Sequence, residues 1–280
     1  MASKPEAILS NPIYADFHVH TRLSPCGKRD ATLGSMIARA HAKGISALGF
    51  ADHVTPLPIP GCNFYNGQQI EVLYAARGIV NALEIPPELT VLVGVEADYT
   101  LAGSNCLDAD VRAHADHVIC AASHFHLPAA PTPREDTLEA RADLQVEMAR
   151  GMLAVDGVSV WAHPFDCTEM RPLAPIMAAI GEVRMAELIR MAIDRGVAIE
   201  FNGGPAATSL AYCDATAGFF GLAREMGARF TITADAHHAD DLDRLDVALD
   251  WARSLGVRDG ELMTVEELMA GRSTHPPVLH

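Results

Sequence analysis

The stretch Tyr14–His20, with the sequence YADFHVH, has the composition of a short β-strand that stops at polar residues. Asp16, His18 and His20 stand at alternate positions, so their side chains share one face of the strand. Both imidazoles can therefore reach one metal ion, and Asp16 could orient one of them. The alternative interpretation is a pair of surface histidines at a strand end, and the motif alone does not decide between the two.

Strand-like and helix-like runs alternate along the chain, with no break in composition that would divide it. The predicted strands are Tyr14–His20, Ile45–His53, Thr90–Tyr99, His117–Phe125, Val158–His163, Val197–Asn202 and Arg229–His237. The predicted helices are Thr32–Lys43, Ile70–Leu83, Val111–His117, Arg134–Leu153, Gly181–Arg195, Ser209–Met226 and Asp240–Leu255. This alternation predicts a parallel sheet with right-handed crossovers. We expect one domain over residues 1–280, with a short arm at 1–12 and a tail at 271–280.

Histidines and carboxylates recur at the ends of these predicted strands. They are His18, His20, Asp52, His53, Glu96, His124, His163, Asp235 and His237. In a closed α/β barrel, the C-terminal ends of all strands converge on one site, whereas an open doubly wound sheet concentrates its ligands at one switch point. The distribution over most strand ends therefore favours a closed or nearly closed barrel.

The composition excludes several classes of protein. The 280 residues are 49% hydrophobic and 20% charged, which is typical of a globular chain, and the formal net charge is -15. Such a surface repels nucleic acid, and no run approaches the roughly 20 apolar residues of a membrane span. Six scattered cysteines without a CxxC pair, and the absence of a signal-like N-terminus, predict a reduced, cytoplasmic protein.

Each polar motif is by itself more often structural than catalytic. Glu96 after a run of apolar residues could be ion-paired, and His163 before Pro164 could simply end a strand at a turn. Asp235 and His237 repeat the spacing of the first histidine pair at the last strand. Their occurrence together is what a multi-metal hydrolytic site requires, because imidazole and carboxylate ligands are brought to one place.

Further candidates lie beside these motifs. Either His124 or His126 could bind metal, and we favour His124, which leaves His126 to touch substrate. Cys26 is a free loop thiol or a soft ligand that favours zinc. Arg22 and Arg171 are the best placed phosphate-binding candidates, since a guanidinium matches phosphate oxygens, although each could be an ordinary solvated charge.

The ordered set of motifs resembles the polymerase-and-histidinol-phosphatase (PHP) family. The matching motifs are His18-Val19-His20, Asp52-His53, Gly94-Val95-Glu96, Ser123-His124, Ala162-His163-Pro164 and Asp235-Ala236-His237. The resemblance implies a distorted seven-stranded (β/α)7 barrel, TIM-like and of PHP type, with two or three divalent ions of zinc, manganese or iron.

The resemblance also implies a division of ligands. His18, His20, Glu96 and Asp235 would hold one ion; Glu96 would bridge to a second ion held by His124 and His163; Cys26, His53 and His237 would hold a third. Many family members carry histidine at the position of Cys26. The implied reaction is attack on phosphorus by a metal-bridging hydroxide, with Glu96, Asp235 and His237 as the catalytic residues. The implied partner is a small phosphorylated molecule.

Several functions fit such a centre. The leading expectation is a phosphomonoesterase for a small ester such as histidinol phosphate, with the proline- and glycine-rich loop Val54–Asn66 as a lid. The alternatives are a phosphodiesterase or cyclic-phosphate hydrolase, and an amidohydrolase-like enzyme that cleaves a non-phosphate bond. A metal-binding protein without catalysis is a third class, which the nearly complete ligand set disfavours.

Overall fold

The computed structural model describes residues 15–54, 69–100, 107–127, 130–167 and 169–270. Its strands are β1 (Ala15–Val19), β2 (Ala47–Phe50), β3 (Thr90–Val93), β4 (Val95–Asp98), β5 (Val118–Ala121), β6 (Val160–Ala162), β7 (Ala198–Asn202) and β8 (Phe230–Thr233). Its α-helices are α1 (Leu33–Lys43), α2 (Glu71–Ala82), α3 (Ala109–His114), α4 (Leu138–Leu153), α5 (Leu173–Asp194), α6 (Gly203–Thr208), α7 (Leu210–Glu225), α8 (Arg244–Ser254) and α9 (Val265–Ala270). Two 3-10 helices, Ala239–Asp243 and Asp259–Glu261, complete the described elements.

The strands pair in parallel throughout, in the order β1-β2-β3 and β4-β5-β6-β7-β8. Only Gly94 separates β3 from β4, so the two segments correspond to the single predicted strand Thr90–Tyr99. A Cβ atom at Gly94 would lie 2.4 Å from Cε1 of His117, which explains the glycine at this break. The seven predicted strands thus all occur.

A seam of hydrogen bonds joins the first strand to the segment after the last one. The backbone N–H of His20 donates to the carbonyl oxygen of Ala236 at 2.8 Å, and Val19 pairs with Ala236 in a parallel bridge. His53 and Glu96 form a similar bridge on the other side of the ring. These links connect the two sheets into a distorted barrel, which confirms the expected fold class.

The two faces of the strands pack into two different apolar clusters. Val95, Trp161 and Phe201 belong to the large apolar cluster between the barrel and its helices. Ile119, Val160 and Ala198 belong to a smaller cluster, which Met263 and Leu268 close from one end. Glu96 pairs with Ile119 in register, so the polar groups continue the face of this smaller cluster. The barrel interior is therefore apolar at one end and polar at the other.

Most helices begin and end where local chemistry predicts. The hydroxyl of Thr32 accepts the Ser35 N–H at 3.0 Å at the start of α1, and Gly44, with φ of 79°, ends the helix. Helix α5 is an exception, because it begins at Leu173 and not at Gly181. Gly181 has φ of 73° and interrupts the helix in its middle. The short helix α6 after β7 was not predicted at all.

Some predicted features lie partly or wholly outside the described residues. Most of the expected lid, the arm at 1–12 and the tail at 271–280 belong to this group, so the single domain over residues 1–280 stays a prediction. Within the described ranges, none of the helices combines the length and the hydropathy that crossing a bilayer requires.

Candidate metal centre

Six imidazoles and two carboxylates from several strand ends, together with one thiol, meet at the polar end of the barrel. His18 and Glu96 are 0% and 1% exposed and form the buried part of the group, whereas Cys26, His124, Asp235 and His237 are half-buried at its edge. The donor atoms that lie within 4.8 Å of one another fall into overlapping groups, and all of these residues belong to the predicted ligand set: His18, His20, Cys26, His53, Glu96, His124, His163, Asp235 and His237. The sequence motifs therefore converge as the barrel predicts.

Glu96 stands between two groups of imidazoles. Its Oε2 atom lies 3.3 Å from Nε2 of His18 and 3.2 Å from Nε2 of His20. Its Oε1 atom faces the other way, 3.1 Å from Nε2 of His163 and 3.8 Å from Nε2 of His124. The two oxygens of one carboxylate can thus serve two different cations.

Asp235 completes the group around the first two histidines. Its Oδ1 atom lies 3.4 Å from Nε2 of His20 and 3.6 Å from Nε2 of His18. This oxygen is buried and has no hydrogen-bond partner among the described residues. The backbone of Asp235 has φ of 51°, an uncommon conformation for a residue with a side chain. Strain of this kind concentrates at functional sites.

Cys26 reaches the centre from the loop after β1. A Cβ atom at Gly27 would lie 1.9 Å from the carbonyl oxygen of Thr21, so only glycine allows the loop to fold back this tightly. Burial opposes a charged thiolate, but His20, with His237 and His53, lowers the pKa of Cys26 to about 3. The sulfur is therefore a thiolate at neutral pH, which is the form that binds metal.

The spacing of the donor atoms fits divalent metal ions. In a tetrahedral zinc site, bonds of about 2.1 Å place two ligand atoms about 3.4 Å apart. The contacts among His18, His20, Glu96 and Asp235 span 3.1 to 3.6 Å. Most of these separations exceed those of strong hydrogen bonds. A mixed set of imidazole, carboxylate and thiolate suits zinc, manganese or iron.

The carboxylates also hold protons on the imidazoles. Burial disfavours a charged His53, but Glu96 and Asp98 outweigh it and raise the pKa of His53 to about 10. Burial likewise opposes a charged His163, whereas Glu96 raises the pKa of that residue to about 9. Protons on these two imidazoles therefore offset part of the negative charge of the carboxylates at neutral pH, and an ion that coordinates His53 or His163 must displace them.

Two buried carboxylates beside the centre were not predicted. Asp98 contacts Nδ1 of His124, and its Oδ2 atom lies 3.5 Å from Nδ1 of His53. Glu200 accepts a hydrogen bond from Nδ1 of His18 at 2.7 Å. The signal for Asp98 was its position two residues after Glu96, on the same face of the strand.

The two aspartates near the first motifs organise the backbone. Asp16 accepts hydrogen bonds from the N–H groups of His18 and Ala234 at 3.1 Å each, and it does not orient an imidazole. Asp52 accepts from the N–H and the hydroxyl of Thr21, both at 2.7 Å. These bonds hold the end of β1 against its two neighbours.

The three predicted substrate-binding residues lie outside the buried group. Arg22 is exposed two residues after His20. Arg171 is partly buried, with Nη2 4.0 Å from Oδ1 of Asp166. His126 is exposed, and its ring centroid lies 5.0 Å from that of His124. His124 thus belongs to the group around Glu96, and His126 stands beside it.

Comparisons with known proteins agree with this geometry. A protein of Vibrio parahaemolyticus named "probable phosphatase" is 26% identical over 259 residues, which are 90% of this chain and 89% of the relative. The crystal structure of histidinol phosphate phosphatase from Lactococcus lactis, complexed with zinc, L-histidinol and phosphate, has the same fold. Its TM-score is 0.66 at 16% identity, over 88% of this chain and 94% of that one.

A candidate histidinol phosphatase of Listeria monocytogenes also shares the fold, with a TM-score of 0.61 at 13% identity. The match covers 82% of this chain and 97% of that one. The family model of the PHP domain matches residues 16–203. Because this match spans more than half of the chain, the protein belongs to the PHP domain family, which confirms the resemblance drawn from its motifs.

Proposed function

We propose that this chain is a metal-dependent phosphomonoesterase that hydrolyses a small phosphate ester, with histidinol phosphate as the first candidate substrate. The observation that carries the proposal is Glu96, whose two oxygens face two separate groups of imidazoles. The relative named as a phosphatase supports the reaction class. The related fold that holds L-histidinol and phosphate supports the choice of substrate.

We assign the ligands to three positions. One ion would be held by His18, His20, Glu96 and Asp235, and the second by Glu96, His124 and His163. The third would be held by Cys26 with His53 and His237, whose imidazoles both contact its thiolate. His20 lies close enough to Cys26 and His53 to belong to the third group as well. A thiolate ligand favours zinc at the third position, while zinc, manganese or iron fits the other two.

Divalent ions held here would supply the Lewis acidity and charge neutralisation that hydrolysis of a phosphate ester needs. Glu96 and Asp235 would fix the positions of these charges. His237 is 27% exposed at the edge of the group, with Nδ1 3.7 Å from Oδ1 of Asp235. It therefore stands where the ligand group opens to solvent, and Asp235 orients it through a contact of Nδ1 with the Asp235 carbonyl oxygen at 3.0 Å.

An anionic substrate must approach a protein with a net charge of -15, so local cations have to receive it. Arg171 is the candidate with the most definite surroundings. The separation of 4.0 Å from Asp166 leaves its guanidinium without a short ion pair to that residue. Arg171 can therefore bind phosphate oxygens in a bidentate manner. Arg22 and His126 are the other residues that we assign to substrate.

The test is inorganic phosphate release from a panel of phosphomonoesters, including histidinol phosphate. The enzyme would be loaded separately with zinc, manganese and iron. We expect release that depends on the metal and favours one ester. Absence of release with every metal would contradict the monoesterase and redirect the assay to diesters, cyclic phosphates and amide bonds.

A matched pair of variants links the activity to the shared carboxylate. Glu96→Gln should abolish phosphate release and reduce the bound metal, because the amide removes the charge between the two imidazole groups. Glu147→Gln makes the same chemical change at an exposed position of α4 and should leave both unchanged. Wild-type metal content and activity in Glu96→Gln would contradict the bridging assignment.

We also propose that the enzyme acts in the cytoplasm, on the basis of its scattered cysteines. Among the described residues, Cys26, Cys167 and Cys213 form no disulfide. A thiolate ligand at Cys26 would be protected from oxidation in a reducing compartment. Localisation of a fluorescent fusion in the source cell would test this assignment.

A further inference from the structure

Glu200 lies in the middle of β7 and is 0% exposed. Among the described residues, β7 contributes no member to the groups that could hold a metal ion. Glu200 nevertheless contacts residues that stand on both sides of Glu96. The assignment of metal ligands therefore does not account for this buried carboxylate.

Each oxygen of Glu200 accepts two hydrogen bonds. Oε1 accepts from Nδ1 of His18 and from the hydroxyl of Thr233, both at 2.7 Å. Oε2 accepts from the backbone N–H of His163 at 2.6 Å and from the side-chain amide of Asn202 at 3.0 Å. An ionised carboxylate has about four acceptor sites, so this one is saturated. Glu200 is therefore not available as a metal ligand itself.

The bond to His18 determines which nitrogen that residue presents. A carboxylate can only accept, so Nδ1 of His18 carries the proton and donates it. Nε2 then points at Glu96 and Asp235, 3.3 and 3.6 Å away. A metal-binding histidine is commonly held this way, with its second nitrogen donating to a carboxylate.

The bond to His163 acts on the backbone. His163 has φ of 26°, which is a strained conformation for a residue with a side chain. The hydrogen bond from its N–H to Glu200 stabilises this conformation at the end of β6. The conformation directs Nε2 of His163 toward Oε1 of Glu96 at 3.1 Å.

We propose that Glu200 is a positioning residue that aligns His18 and His163 at the same time, and so organises the two ion positions that share Glu96. This inference rests on the ligand assignment in the proposed function. It predicts that Glu200 sets metal affinity at both positions, although it touches neither ion.

The variant Glu200→Gln tests the two contacts together. One side of an amide accepts hydrogen bonds and the other side donates them. If the amide oxygen faces His18, its nitrogen opposes the N–H of His163. If the amide is reversed, its nitrogen opposes the protonated Nδ1 of His18 and favours the wrong tautomer. Either orientation misplaces one ligand.

The affinity for Zn²⁺ and Co²⁺ would be measured by competition with a chelator, with the metal alone as the probe. We expect Glu200→Gln to bind about 10- to 100-fold more weakly than wild type. The visible spectrum of the protein saturated with Co²⁺ should also change, because the ligand geometry changes. Glu200→Asp, which keeps the charge but not the reach, should show a smaller loss.

The matched control is Thr231→Val, a nearly isosteric change at the buried position of β8 that pairs in register with Glu200. The Thr231 hydroxyl has no hydrogen-bond partner among the described residues, so this change removes none of the four bonds to Glu200. It should leave the affinity and the Co²⁺ spectrum at wild-type values. A folded Glu200→Gln protein with wild-type affinity and spectrum would overturn the proposal, even if its Tm were lower. If Glu200→Gln does not fold, Glu200→Asp decides in the same way.

These readouts separate the two proposals. A wild-type protein that binds metal but releases no phosphate from any ester would contradict the proposed function and leave the role of Glu200 intact. An active wild type whose metal affinity does not change in the Glu200 variants would contradict only the positioning role.

Discussion

Metal binding should release protons and should strengthen as the pH rises. The pKa of His53 is about 10 and that of His163 is about 9 in the metal-free centre. Both imidazoles are therefore protonated at pH 7, whereas a coordinating imidazole must be neutral. Cys26, with a pKa of about 3, is already a thiolate and contributes no proton.

The magnitude follows from these values. Each proton displaced makes the affinity rise about tenfold per pH unit below the pKa of the group, which is about 1.4 kcal/mol. Two protons, one from each imidazole, must be displaced when the ion positions of His53 and His163 fill. The overall metal affinity should therefore rise about 100-fold between pH 7 and pH 8. The sign is fixed because both pKa values are raised: protons compete below them, and the pH dependence ends as the pH passes 9 to 10.

The assay is calorimetric titration with Zn²⁺ at pH 7, in buffers that differ in their heat of ionisation. The dependence of the measured heat on the buffer gives the number of protons released, which should be about two or more when all positions fill. Chelator competition at pH 6.5, 7.5 and 8.5 gives the change in affinity. Glu96→Gln serves as the control, because removing the carboxylate should lower the number of protons released. Metal binding with no proton release and no pH dependence would refute the reasoning.

Outcomes for four further variants are expected. Asp98→Asn should bind Zn²⁺ about 10- to 100-fold more weakly, measured by chelator competition, because two imidazoles lose their carboxylate partner. Gly94→Ala should lower the free energy of unfolding by about 1–3 kcal/mol in urea titration, since its methyl group meets the His117 ring. Gly218→Ala, inside α7 with open space around it, should instead be neutral or raise stability by up to about 1 kcal/mol. Arg171→Ala should raise KM for the phosphate ester about tenfold and leave the metal content unchanged; an unchanged KM would remove Arg171 from the substrate site.

The alternation of strands and helices, and the ligand residues at strand ends, could be read from the sequence because they depend on local patterns. Thr32 and Gly44 mark the ends of α1 by their own capping chemistry. The prediction that His18 lies near Asp235 required one assumption about the whole fold, namely that the parallel strands close into a ring. Given that assumption, polar residues at equivalent strand positions had to converge.

The features that the sequence did not predict depend on contacts between distant segments. Glu200 stands in an apolar strand with no motif around it, and its partners come from β1, β6 and β8. The helix predicted from Gly181 begins at Leu173 instead: Gly181 is a non-helical break within α5, and the apolar residues Ile176 before it and Leu188 after it are both buried. Local propensity yields to tertiary packing at such places.

The seam between β1 and the segment after β8 bears on how the protein is made. His18 and His20 of the first ligand group are synthesised early and Asp235 much later, so a chain that stops before Asp235 cannot assemble this group. An ion bound across this seam would act as a reversible cross-link that closes the longest loop of the fold, in the way that a disulfide limits the freedom of an unfolded chain. Metal supply during biosynthesis would then govern the yield of folded protein as well as the activity of the enzyme.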